Sequence, residues 1–293
     1  MDSPAPIDTQ NPPQNDARKD TQSAPRSTSF QLPGLIRDVV ASLRTPGFWL
    51  YGAWIQTSVR YRSQALGAFW MVAGTVAFVT LLGTLYSQIL GGDNPYYFGH
   101  LAAGYVFWIF MQQLLVKSSR LFQQNGSMIQ NGYVNYADYV LREFMVQLIN
   151  LAYNLIVIIG AMVVTQILPT PAIMALFLTV PLLMLMILGA CFFFSVLGAR
   201  YPDFGEFLQT LMRLAFFLTP IIWSVGTTGK GGAIGPFIYL NPFYYMIEIV
   251  RGPLIYGVVP WFEIGVVALL ALVAWALACA AYRRAKPYIP LWV

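Results

Sequence analysis

Charge is scarce in this sequence. Only 10% of the 293 residues are Asp, Glu, Lys or Arg, and 57% are hydrophobic, where soluble domains carry about a quarter charged residues. A water-soluble globular domain is thereby excluded, and lipid is the solvent such a chain needs. Cysteine is nearly absent: Cys191 and Cys279 fall inside apolar runs with no partner at metal-ligand spacing. A disulfide framework and a zinc site are excluded on that ground, and both cysteines read as packing residues. The single histidine, His100, opens an apolar run and reads as an interfacial residue rather than a catalyst or ligand.

Motifs for bond-making chemistry are missing as well. The string GTTGKGG (Gly226–Gly232) lacks the spacing of a P-loop and the Ser or Thr that should follow its Lys. Nucleotide binding by this chain is therefore not expected. No HExxH, no Gly-x-Ser-x-Gly and no carboxylate pair within an apolar run occurs. An enzyme embedded in the bilayer would need some such constellation, so no catalytic residue, metal or cofactor is expected here. The 17 Lys and Arg outnumber the 12 Asp and Glu, but they gather at the ends of apolar runs. That pattern fits inward-facing loops and not a nucleic-acid surface.

Residues 1–29 are rich in Pro, Gln, Asp, Ser and Thr without an apolar run, which predicts a disordered polar tail and not a signal peptide. Within 30–63, Leu35, Ile36, Val39, Val40 and Leu43 share one helical face. After a break at Thr45–Gly47, an aromatic stretch (Phe48, Trp49, Tyr51, Trp54) ends in Arg60 and Arg62. A membrane core of ~30 Å takes about 20 apolar residues, and this stretch is shorter. An amphipathic helix lying in the inner interface is predicted, with a packed helix of a small cytosolic domain as the alternative.

Six apolar spans are predicted over about 66–90, 100–116, 144–168, 172–199, 207–223 and 262–282. The fold class is thus an all-α polytopic membrane protein, with a six-helix transmembrane domain over 64–285 and a short tail at 286–293. Fourteen of the 17 basic residues then share one face with both termini, which makes that face cytoplasmic. Between spans five and six, residues about 234–259 form two apolar pieces interrupted by Pro236, Pro242, Gly252, Pro253 and Gly257. Each piece is too short to span, which predicts a re-entrant hairpin from the outer face, with a seventh span as the alternative. Glu248 and Arg251, three apart, are placed to pair on one helical face.

Candidate functional residues follow from this topology. Arg213 lies about two turns into the fifth span, roughly 10 Å inside its inner boundary. It either snorkels to the headgroups or lines a pathway for a phosphate-bearing substrate. Tyr105, Trp108, Phe216 and Phe217 suit stacking on sugar rings and equally suit lipid packing. The loop from Lys117 to Arg142 carries Leu121, Phe122, Met128 and Ile129. These are anchors for a partner's groove or for the chain's own helix ends.

The order of several motifs carries a resemblance. RYRSQALGAFW (Arg60–Trp70), ARYPDF (Ala199–Phe204), FFLTPIIW (Phe216–Trp223) and NPFYYMIEIVRGPLIYG (Asn241–Gly257) resemble the ABC-2 type permeases that export bacterial surface polysaccharides such as O-antigen, capsule and teichoic acid. The resemblance covers about residues 35–285. It implies a homodimer in the bacterial inner membrane, with two copies of a separate ABC ATPase subunit carrying ATP and Mg docked beneath. It also implies a lipid-linked polysaccharide as cargo, with Asn241 and Pro242 opening the outer hairpin. The interface helix and the 117–142 loop would couple to the ATPase, and Arg60 and Arg62 would stand near the inner gate. The chain departs from many members where an Asn-Pro or Glu-Pro pair would follow Trp70: here the residues are MVAGT. A permease for drugs or lipids, and an enzyme acting on lipid-linked sugars, are the competing readings.

Overall fold

The computed structural model describes residues 34–62, 69–89, 96–132, 135–223 and 235–293. The expected tail at 1–29, the string at 226–232 and the side chain of Arg60 lie outside the described residues. The regular structure among those described is all helical. Helix α1 (Gly34–Arg44) and helix α2 (Gly47–Arg62) meet at a corner of Thr45 and Pro46. Trp49 Nε1 fixes the corner by donating to the Ser42 carbonyl at 2.9 Å.

The buried stripe of α1 is rotated from the expected one. It comprises Leu35, Asp38, Val39 and Ser42, while Leu43 is 54% exposed. Polar partners cause the rotation. Asp38 accepts from the Tyr282 hydroxyl at 2.8 Å and pairs with Lys286. Asn135 Nδ2 donates to the Asp38 carbonyl at 2.9 Å and to Ser42 Oγ at 3.1 Å. Helix α2 packs with Ala53 fully buried, and leaves Tyr51, Trp54 and Val59 exposed.

The remaining helices are α3 (Phe69–Ile89), α4 (Tyr97–Gln124), α5 (Gly126–Gln130), α6 (Tyr136–Val164), α7 (Leu176–Arg200), α8 (Phe204–Leu218), α9 (Gly235–Leu240), α10 (Pro242–Arg251), α11 (Trp261–Ala285) and α12 (Ile289–Trp292). A 3₁₀ turn, Pro171–Ala175, leads into α7. Among the described residues five helical segments are long and apolar enough to cross a membrane: α3, α4, α6, α7 with its leading turn, and α11. Only a helix satisfies every backbone group within one apolar segment, which is why these runs fold so.

The segment expected as a fifth span is not among those five. Helix α8 has 15 residues, about 22 Å of rise, and stops at Leu218. Thr219 is extended (φ −90°, ψ 132°) because it precedes Pro220, which crowds a helical conformation there. Between α8 and α11 the described chain forms only short helices. Asn241 caps α10 by accepting from the Phe243 amide at 2.9 Å, with Pro242 at the first helical position, as such positions favour. A π-helical turn, Gly252–Tyr256, follows and ends at Gly257, whose φ of +66° suits glycine.

The expected loop at 117–142 is also mostly helix. Helix α4 runs to Gln124 and α6 begins at Tyr136, leaving α5 and its flanking turns between them. The polar end of α4 stays helical because its side chains find partners on α7 and α8. Arg120 bonds Glu206 at 2.9 Å and Gln209 at 2.8 Å, and Gln123 Nε2 donates to the Gly198 carbonyl at 2.8 Å. Helix α4 is central, packing against α3, α6, α7, α8 and α10. At Gly198 the α4 and α7 backbones touch: a Cβ there would lie 1.5 Å from the Ser119 carbonyl oxygen. Small residues permit such approach between apolar helices.

Candidate functional site: an aromatic cleft beside the central helix

Helix spacing builds one wall. Tyr105, Trp108, Gln112 and Val116 recur at three and four residues along α4, with Ile109, Gln113 and Lys117 beside them. On α8, Gln209, Arg213, Phe216 and Phe217 repeat the pattern. Together with Phe78 of α3 they line a cleft of about 620 Å³. Tyr105 and Lys117 are twelve residues apart on α4, so the wall runs about 18 Å along the helix axis.

The aromatics form a connected set. Phe78 stacks on Tyr105 with centroids 3.9 Å apart and planes 10° apart. Phe216 stands edge-on to both at 6.2 Å, lies 5.7 Å from Trp108 and 5.5 Å from Phe217. Trp108 meets Phe243 of α10 at 5.2 Å, joining the cleft to the short helices before α11. Arg213 lines the cleft and is exposed, with no ion pair or hydrogen bond among the described residues. Lys117 lines one end and pairs with Glu143 at 3.4 Å. Stacking faces, amides and a guanidinium without a partner among the described residues equip this cleft to hold a ligand.

Five of the seven residues expected on a substrate path (Tyr105, Trp108, Arg213, Phe216 and Phe217) are thus brought to one cleft. Arg62 is exposed at the end of α2 and is not among the residues that line the cleft. Of the four residues expected to couple to a partner, Leu121, Phe122 and Ile129 are buried in the chain's own core, and Met128 is 51% exposed on α5. The corner of α5 is held by Asn125, whose Nδ2 donates to the Leu121 carbonyl at 2.8 Å and whose Oδ1 accepts from Arg142 at 2.9 Å. Cys191 and Cys279 are free thiols within helices.

Two polar groupings escaped the sequence reading. In the first, Arg251 is 3% exposed and donates to Glu248 Oε2 at 2.5 Å, the Pro220 carbonyl at 2.7 Å and His100 Nε2 at 3.1 Å. His100 Nδ1 lies 2.6 Å from the Tyr256 hydroxyl. Its Nε2 lies 3.2 Å from the Trp223 carbonyl as well, so the imidazole links α4 to α10, to the π-helical turn and to the residues after α8. The Glu248–Arg251 pair was legible from its spacing, but His100 is 151 residues away and no local pattern announces it. The second grouping, Glu143, Gln147, Asn150 and Asn154, is a polar stripe on α6. Its signal was available: four polar residues at helical spacing inside an apolar run.

The sequence profile of the ABC-2 type transporter matches residues 49–255 of the chain. No curated protein matches it.

Proposed function

Because the chain belongs to the ABC-2 type transporter family, we propose that it is the permease subunit of an exporter of a lipid-linked surface polysaccharide. As a member of that family it is a transporter membrane component, and the proposal concerns its cargo and assembly. The observation that carries the cargo is the cleft, which joins Tyr105, Phe216 and Phe217, backed by the buried Trp108, with an Arg213 that has no partner among the described residues. Sugar rings bury their C–H faces on aromatic planes, and a guanidinium holds the phosphate of a lipid carrier in bidentate fashion.

In this reading α8 makes a sixth crossing together with the residues that follow it. The chain from α9 to the π-helical turn then dips back from the outer face, and both termini face the cytoplasm of a bacterial inner membrane. Apolar side chains stand exposed on α3 (Trp70, Leu81) and on α8 (Leu214, Phe217); a second copy of the chain covers them and closes the cleft. Two ABC ATPase subunits, carrying ATP and Mg, dock against α2 and α5. Arg60 and Arg62 stand where an anionic headgroup arrives.

Co-purification of the tagged chain from its native membrane tests the assembly. An ABC ATPase subunit in equal amount with bound glycolipid is the expected result, and a lone chain acting without ATP would overturn it. Met128→Asp should weaken ATPase association by about tenfold or more, as for an interface anchor. Elution of the permease alone should not change. Unchanged association would remove α5 from the interface. Arg213→Gln should lower export by about tenfold or more, the worth of a lost charge-assisted hydrogen bond. If protein level falls in step with export, Arg213 is a structural residue.

A further inference from the structure

A second cleft, of about 520 Å³, lies between α3, α4 and α6. It adjoins the first: Phe78, Tyr105, Ile109, Gln113 and Lys117 line both, and Phe78 is stacked on Tyr105 where they meet. The second cleft differs in chemistry. Its α6 side is amide, Gln147, Asn150 and Asn154, and Thr75 joins them from α3; none of these four lines the first cleft.

The amides are aligned. Glu143 Oε1 accepts from Gln147 Nε2 at 2.7 Å, and Gln147 Oε1 accepts from Asn150 Nδ2 at 3.2 Å. Asn154 Nδ2 donates to the Asn150 carbonyl at 2.8 Å and to the Met71 carbonyl at 3.3 Å. Two carbonyls therefore fix the orientation of the Asn154 amide, since a flip would turn its oxygen toward both. Asn154 is 5% exposed, and its Oδ1 is buried with no partner among the described residues. Buried acceptors in native proteins are nearly always satisfied, so this one calls for a donor that the described residues do not supply. Within an apolar span, buried polar side chains of this kind mark ligand sites. The acceptor needs an O–H or N–H, and Glu143 already holds Lys117 at 3.4 Å.

We propose that the α3–α4–α6 cleft is a second binding site, adjoining the aromatic cleft, and that it takes a hydroxyl-bearing headgroup of an amphiphile. Asn154 Oδ1 accepts from a ligand hydroxyl, Trp70 at the cleft's edge covers a ring or glycerol face, and acyl chains leave past the exposed side of α3. The volume falls within the range of small-molecule sites, about 300–1,000 Å³. The hydroxyls belong either to a membrane lipid headgroup or to the sugars of an exported glycan. The site rests only on the cleft and its amides, and it stands if the export reading fails.

The test is native mass spectrometry of the full chain released from nanodiscs. The nanodiscs hold phosphatidylcholine mixed with either phosphatidylglycerol or galactosyl diacylglycerol. Wild-type chain should retain both hydroxyl-bearing lipids over phosphatidylcholine. Asn154→Leu should cut that preference about fivefold, the worth of one neutral hydrogen bond. Asn150→Leu, which disturbs the same ladder at a less buried position, decides the matter if the first variant does not fold. Displacement of the retained lipid by oligosaccharide cut from the cell's own surface polysaccharide assigns the site to the glycan. Retention despite that oligosaccharide assigns it to a membrane lipid. Equal retention of all three lipids, or a preference that survives both variants, would overturn the site. Loss of ATPase association would leave this measurement unchanged, so the two readings fail separately.

Discussion

Gly198→Ala is expected to leave almost no folded chain. The added Cβ would sit 1.5 Å from the Ser119 carbonyl oxygen and 2.6 Å from its carbon. These atoms are backbone, so no rotamer change relieves the clash; α4 and α7 must separate. That separation would also break the Gln123 bond to the Gly198 carbonyl. It would loosen a seam that buries Ser118, Ser119, Ser195 and Ala199. Overpacking ordinarily costs about 1–3 kcal/mol, and a backbone-on-backbone clash belongs at or above the top of that range. The measurement is size-exclusion chromatography of a fluorescent fusion in detergent, where the monodisperse peak should vanish. Gly160→Ala is the control. It has nothing within 4 Å of its Cβ position and should gain about 0.5–1 kcal/mol of helix preference. A normal peak for Gly198→Ala would show that α4 and α7 pack less closely than described.

The second large effect is expected at Arg251. Its guanidinium joins α10 to α4 through His100 and to the turn after α8 through the Pro220 carbonyl, while holding Glu248. Arg251→Met is similar in length and leaves Glu248, the carbonyl and the imidazole without their shared donor. Breaking a buried pair by removing one partner costs about 3–5 kcal/mol. That corresponds to a fall of about 10 °C in melting temperature for a chain of this size. Arg251→Lys should recover only part of the loss, since one ammonium cannot reach three acceptors in the geometry of a planar fork. Thermal unfolding in detergent checks both variants. A melting temperature within about 2 °C of wild type for Arg251→Met would mean that the cluster does not hold these elements together.

Both effects arise at positions where distant parts of the chain meet, and this separates what was legible in the sequence from what was not. Helix α11 was readable within a few residues of its observed bounds, Trp261–Ala285, because a long apolar run in lipid must close its own backbone hydrogen bonds. The end of α8 was misplaced by five residues although its cause, Thr219 before Pro220, is local. The apolar run continues through Trp223, and hydropathy outweighed the proline in the reading. The aromatic face of the first cleft was half legible: spacing places Tyr105 with Trp108 and Arg213 with Phe216, but only packing sets α4 against α8.

The coupling residues show the limit more sharply. Leu121, Phe122, Met128 and Ile129 are alike as anchors in sequence, and three of them are consumed by the chain's own core. Periodicity locates a face on a helix but does not say what covers it. The same holds for α1, where Asp38 lies in the buried stripe because Tyr282 and Lys286 receive it, more than 240 residues along the chain. By itself, then, the sequence determined the solvent, the helical class and the approximate places of the long apolar helices, since each follows from local hydropathy and backbone hydrogen bonding. The tertiary structure alone decided which polar groups are buried, which anchors remain exposed, and that an aromatic cleft and an amide-lined one adjoin at Phe78 and Tyr105. Those depend on contacts between residues far apart in the chain, for which a single sequence carries no spacing to read.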